Sequence, residues 1–412
     1  MLSSAMRLKS PLAAAGALLA AAVLLAAPEL LPDTIAEFSR QVEEVRGRKF
    51  LRSVPAFEID LPEARRVLRQ KIVEGLPAPP DEAFRSLAAI GLIDDSARML
   101  DILVDFYASQ VVAFYDPQPR RFYVVKGAEG LGEAGTDAAE MASGLIYSHE
   151  LTHALQDESL RLDERIRQLR DDGDRAFALQ CLLEGEATLV MVRVALSAIP
   201  GADESVEDQI APLLSAGALE RANVPRDVPD YFVDQLFFPY TEGTAFARAA
   251  VKRGGWAEMD RLWKNPPLSS AEILHGSPYP PPAQGLLPAN LITAAPGQRF
   301  VYSDTLGEWT MRFLLGRALS SDEAAKAAAG WRGDRIAYFS GPIAMSYLWR
   351  IRFDEPSSAA RFEAALRKAR AKRPVPSTET ITREGADVVV SSGLPAAPGQ
   401  APPPSPRPDK AG

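Results

Sequence analysis

Ser148-His149-Glu150-Leu151-Thr152-His153 is the stretch on which the fold and the chemistry of this chain are read. In a helix, residues four apart lie one turn above each other on the same face. His149 and His153 therefore aim two neutral imidazole nitrogens at one point, and Glu150 sits one step round beside them. Two imidazoles and a neighbouring carboxylate are the parts of a zinc site with its general base, the H-E-x-x-H arrangement. The chain has 3 histidines in 412 residues, and two of them fall here, which a coincidental surface helix explains poorly. The flanks agree with a helix: Asp137 and Glu140 have the spacing of a capping box, and no proline interrupts Ala138 through Leu155.

A catalytic zinc needs a third protein ligand, and the next long apolar stretch offers one. Arg175 to Ala198 reads as a helix that is apolar nearly all round and hence buried. Inside it lies Cys181-Leu182-Leu183-Glu184-Gly185-Glu186-Ala187-Thr188. A carboxylate in such a helix is expensive unless it is paired or bound to metal, which makes Glu184 the expected third ligand. A buried Glu–Arg pair is the plainer alternative. Glu186 stands about 200° further round, so both glutamates cannot face one ion. Gly185 leaves room for a close neighbouring helix. A second Glu-Gly at Glu242-Gly243 is a weaker ligand candidate, better read as a first-turn glutamate favoured by the helix dipole.

Composition bounds the rest. Hydrophobic residues at 47% and charged residues at 24% are ordinary for a globular protein, and the net charge is −8. No basic stripe with interleaved aromatics appears, which argues against a nucleic-acid partner. Arg7 and Lys9 precede an uncharged, Ala/Leu-rich run from Ser10 to Pro28. That pattern predicts an exported chain whose residues 1–28 are a cleaved signal peptide or a retained membrane anchor through residues 10–28. With the single cysteine Cys181 no intrachain disulfide is available.

Along the chain, Asp33 to Arg48 predicts a polar helix, Val54 to Phe57 a short strand and Leu61 to Glu74 a helix. Asp81–Ile90 and Asp95–Tyr107 are two more helices. Gln110–Tyr115 and Arg121–Val125 change to a strand period, joined by Asp116-Pro117-Gln118-Pro119-Arg120, a hairpin. Standing just before the metal helix, its edge strand can pair with an extended peptide. Residues 264–300 are rich in Pro and Gly and read as a long loop carrying His275. Asp304 to Leu319 is expected as helix, and Ser320-x-x-Glu323 caps another. Arg332-Gly333-Asp334 reads as a turn. Strands at Arg335–Phe339 and Ala344–Phe353, a helix at Pro356–Ala371 and a hairpin around Gly385 give a ββαββ layer. From Pro395 onward Pro, Ala, Ser and Gly dominate, the composition of a disordered tail.

These readings predict an α+β protein: a mainly helical, zincin-like catalytic domain over 29–330 with a small sheet before the metal helix. A small α+β subdomain over 331–394 and a Pro-rich tail over 395–412 follow. The set His149, Glu150, His153 and Glu184-Gly185 resembles the gluzincin type of H-E-x-x-H metallopeptidase. Phe114-Tyr115-Asp116-Pro117, His149 through Asp157 and Leu183 through Thr188 are similar to a group of exported bacterial metallopeptidase-like proteins. The resemblance implies Zn²⁺ held by His149, His153 and Glu184, with Glu150 as general base. Two departures stand out. Thirty residues separate His153 from Glu184, and Thr188 stands where the thermolysin type has an aspartate that orients a ligand histidine. Outer support for the ligands must then come from elsewhere, with Asp157 the candidate.

The function expected is an exported zinc peptidase acting on a peptide or protein substrate, with Tyr240, Tyr302 or His275 donating to the developing oxyanion. The alternatives are an inactive zinc-site protein that binds substrate or aids envelope assembly, and a purely structural envelope protein.

Overall fold

The computed structural model describes residues 32–126, 137–197, 199, 201, 205–209, 224–287, 297–341, 344–372 and 379–394, with backbone alone for 32, 33 and 137–143. The expected signal or anchor segment and the Pro-rich tail lie outside the described residues, as do the side chains of the Asp137/Glu140 capping box. No helix among the described residues is long and apolar enough to cross a membrane.

The architecture is α+β, with two sheets among the described residues. Helix α1 (Pro32–Arg46) leads into β1 (Ala56–Ile59), then α2 (Leu61–Gly75), α3 (Pro80–Ile90) and α4 (Met99–Gln110). Strands β2 (Ala113–Asp116) and β3 (Arg121–Val125) form the expected hairpin, and Asp116 Oδ1 accepts from Gln118 N at 3.0 Å to close its turn. β1 pairs with β3 in parallel, so the sheet order is β1-β3-β2 and β2 is an edge. The metal helix is α5 (Asp137–Leu160), followed by α6 (Leu162–Gln168) and the long α7 (Gly173–Ser197).

Helix α7 is buried along most of its length, as its all-round apolar sequence requires. Leu151 and Leu155 of α5 pack with Ile35 and Val42 of α1, Ala56, Phe122 and Val124 of the sheet, and Val190 and Val194 of α7. The helix that carries His149 and His153 is thus held between a sheet and the central helix. After α7 the chain runs through α8 (Asp230–Phe238), a π-helical turn (Pro239–Gly243) and α9 (Thr244–Lys264). The π turn crosses α7 at the closest possible range: a Cβ at Gly185 would lie 2.1 Å from Gly243 O, and one at Gly243 2.3 Å from Cys181 O. Both glycines are needed for this backbone-to-backbone contact, which bears out the expectation for Gly185.

The described residues of 264–300 hold more regular structure than their composition suggests. Ser269 caps a short helix α10 (Ser270–His275), and His275 is its last residue rather than a loop histidine. The second sheet then begins with β4 (Arg299–Asp304), where the sequence reading placed the end of a loop and the start of a helix. The helix α11 is confined to Gly307–Gly316, and α12 (Ser321–Ala328) opens with the expected capping box of Ser320 and Glu323. β5 (Trp331–Ser340), β6 (Met345–Phe353), α13 (Pro356–Ala371), β7 (Thr380–Glu384) and β8 (Asp387–Ser392) complete the ββαββ unit, and β4 joins it in the order β4-β5-β6-β8-β7.

Arg332-Gly333-Asp334 is not a turn between elements but a bulge inside β5, with Gly333 at φ 138°. Asp334 is buried there and accepts from Leu306 N, Gly307 N, Trp331 Nε1 and Trp349 Nε1 at 2.8–3.0 Å. The sheet takes its first strand, β4, from residue 299, ahead of residue 331. One apolar core runs from Phe177 and Tyr231 through Trp309 to Trp331 and Trp349, joining the sheet to the helices.

Candidate metal centre

His149, His153 and Glu184 meet. His149 Nε2 lies 3.1 Å from Glu184 Oε2, His153 Nε2 lies 3.3 Å from it, and the two Nε2 atoms are 3.1 Å apart. All three residues are buried, and the group can hold a metal ion. Donors placed tetrahedrally at about 2.0–2.1 Å from zinc stand about 3.3–3.4 Å from one another, so the triangle fits such an ion with little adjustment.

Electrostatics explain how the cluster survives burial. Burial alone would raise the Glu184 carboxyl, but the imidazoles of His153 and His149 hold it well below the usual carboxylate range. Burial would lower His153, yet the charge and hydrogen bond of Glu184, with Glu150 and Gln156, bring it up to about 9. Glu150 is partly exposed, and its pKa is raised, chiefly by burial and against the pull of both histidines.

Glu150 is also aimed. Val125 N donates to Val112 O at 2.8 Å, so in the antiparallel alternation Phe114 and Asp116 face β3 while Ala113 and Tyr115 face outward. Tyr115 N, on that outer edge, donates to Glu150 Oε2 at 2.8 Å. The Glu150 carboxylate is held by backbone, on the side of β2 that pairs with no other strand among the described residues.

Of the three expected oxyanion donors, only Tyr240 stands at the cluster, its ring stacked on His149 at 5.7 Å between centroids. Tyr302 is fully buried against Tyr338 in the C-terminal sheet and is corrected to a core residue. His275 is engaged by Glu308 at 2.9 Å and stacks on Tyr279. Glu242 is exposed, sits in the π turn rather than a first helical turn, and lies outside the cluster. Asp157 does not support a ligand. It accepts from Tyr115 OH and Leu162 N instead, and the partner of His153 Nδ1 is Gln156 Oε1 at 2.9 Å. Gln156 went unread because no spacing rule marks a glutamine three residues after a histidine. The helical face it shares with His153 was the available signal.

Residues 298–398 match a family model described as a domain of unknown function (DUF8575). The match coincides with the second sheet, β4 to β8, and leaves the metal cluster outside it. Comparisons with curated proteins and with solved structures give no match.

Proposed function

We propose that the protein is a zinc-dependent peptidase, exported as its N-terminal charge and apolar pattern suggest. The observation that carries this reading is the convergence of His149, His153 and Glu184 with the Glu150 carboxylate beside them, fixed by the β2 edge. A His₂Glu donor set with one further position open to water is the pattern of catalytic zinc, and a zinc ion there would bring the pKa of water to about 7 and polarise a carbonyl.

The chain's own groups supply the remainder. Glu150, with its raised pKa, takes the proton of the attacking water and returns it to the leaving amine. In this reading an extended peptide beside that base pairs with the outward backbone of Ala113 and the Tyr115 carbonyl. Tyr240 over His149 is the donor for charge developing on the carbonyl oxygen.

The test joins metal analysis with digestion of a generic peptide. Purified protein is expected to hold one zinc and cleave. Glu150→Gln keeps the zinc and loses cleavage by at least about 100-fold, the usual scale for general base catalysis. Glu184→Ala loses the zinc. Undiminished cleavage by Glu150→Gln refutes the base, and equal zinc in Glu184→Ala refutes the ligand set.

A further inference from the structure

Behind the metal cluster runs a buried file of polar groups that ends on the N-terminal helix. Gln156 is fully buried and uses both ends of its amide. Its Nε2 donates to Leu183 O at 3.0 Å and to Glu186 Oε2 at 2.9 Å, while Oε1 lies 2.9 Å from His153 Nδ1. Carbonyl and carboxylate are acceptors only, so the amide nitrogen must face them. A flipped amide would put Oε1 against two acceptors. The oxygen is therefore held toward His153, where it accepts from Nδ1–H and leaves Nε2 as the nitrogen that points into the cluster.

Glu186 is held in turn. It is fully buried on the face of α7 turned away from Glu184, and takes Trp263 Nε1 at 2.6 Å on Oε2 and Arg46 Nε at 2.5 Å on Oε1. Arg46, only 1% exposed at the end of α1, also donates to Asp260 at 2.6 Å. Its guanidinium lies 4.7 Å from the ring centroids of both Trp256 and Trp263. A guanidinium set against two indoles and paired to two carboxylates has little freedom.

We propose that Arg46, Glu186 and Gln156 are positioning residues that fix the tautomer and aim of the His153 imidazole, so that the metal site is set from the N-terminal helix 107 residues earlier in the chain. None of them touches the metal or the substrate. The consequence for metal affinity rests on the zinc reading above; the state of His153 Nδ1 does not.

The experiment therefore has two readouts on the full-length protein: zinc affinity by chelator competition, and the imidazole N–H protons by NMR, simple to assign with 3 histidines. The wild type is expected to show a slowly exchanging Nδ1 proton from His153. Gln156→Met, similar in size but with no amide, is expected to lose that proton and to weaken zinc binding about 10–100-fold, the range for outer-sphere supports of metal ligands. Arg46→Lys keeps the charge but not the fork. It is expected to speed exchange of the proton and weaken zinc several-fold, with no further loss when added to Gln156→Met. A merely structural role predicts lowered stability with zinc affinity and the Nδ1 proton unchanged in whichever variant folds, and that result overturns the proposal. Wild type without zinc but with the protected proton sinks the peptidase reading and leaves the relay standing; absence of the proton from wild type sinks the relay.

Discussion

Gly185→Ala puts the packing at the metal centre to a quantitative test. Helix propensity alone predicts that this change stabilises, by about 0.5–1 kcal/mol, because alanine replaces glycine inside a helix. The structure predicts the opposite. The added Cβ would stand 2.1 Å from Gly243 O and 2.2 Å from Gly243 C, whereas ordinary contact begins at 3.4 Å. The obstacle is backbone, with no rotamer to swing aside, so α7 and the π turn must part by about 1.3 Å. Overpacking of that kind costs about 1–3 kcal/mol, and the upper end applies where nothing yields. Set against the propensity gain, the net is a loss of about 2 kcal/mol, read by urea unfolding followed by circular dichroism. Glu184 and Tyr240 ride on the two elements that must separate, and if the proposed peptidase reading holds, a displacement of about 1 Å there is worth about 100-fold in rate. Gly316→Ala is the control: it lies in helix α11 with nothing within 4 Å of its added Cβ, so it gains what propensity allows. If Gly185→Ala proves as stable as wild type while keeping its activity, the close crossing of α7 and the π turn is wrong.

Asp116 is fully buried with Oδ2 unbonded, and burial, only partly offset by Lys71, pushes its pKa up to about 7 from an ordinary 3.8. A carboxyl whose folded pKa is raised contributes stability that is present below its unfolded value and fades as pH rises toward the folded one. Asp116→Asn, which keeps an acceptor for Gln118 N, is therefore expected to gain on wild type between pH 4 and pH 8. The ceiling is about 4 kcal/mol at about 1.4 kcal/mol per pH unit, trimmed because the buried Lys71 loses its counter-charge. Parallel stability–pH curves for the two proteins would contradict this. Asp334→Ala strands four buried donors, two indoles of the C-terminal sheet and two amides at the start of α11. Each is worth about 1–3 kcal/mol, less than additively, so a loss of about 4 kcal/mol or more is expected from thermal unfolding. A loss below about 1 kcal/mol would show that water replaces the carboxylate.

The metal cluster was legible because its chemistry is local or forced. His149 and His153 are neighbours by helical geometry, and Glu184 stands out as a charge in an otherwise apolar helix. The ββαββ layer was legible for the same kind of reason, alternating patterns separated by turn residues. What escaped depends on contacts between distant stretches. β4 has the residues of a strand, Phe300, Val301 and Tyr302, but it follows a Pro/Gly-rich segment and finds its partner β5 more than 30 residues later. Arg332-Gly333-Asp334 does carry turn chemistry, yet the fold spends it on a bulge whose aspartate anchors two tryptophans. Gln156 and Asp157 stand three and four residues after His153, both on its helical face, and the packing of α5 on α7 decides which of them meets its ring. Arg46 has nothing in its own surroundings to mark it, since its partners lie 140 and 214 residues away.

The hydrogen bond from Tyr115 N to Glu150 bears on how an inactive form of this protein should be made. Alanine at position 150 would remove the proposed proton acceptor, but it would also strip the last outward amide of a sheet border of its cap. A bare strand border invites a second chain to add to it, so lost turnover in such a variant would be confounded with self-association. Glutamine retains a carbonyl oxygen for that amide while removing the basicity, and it is the knockout that leaves the border closed.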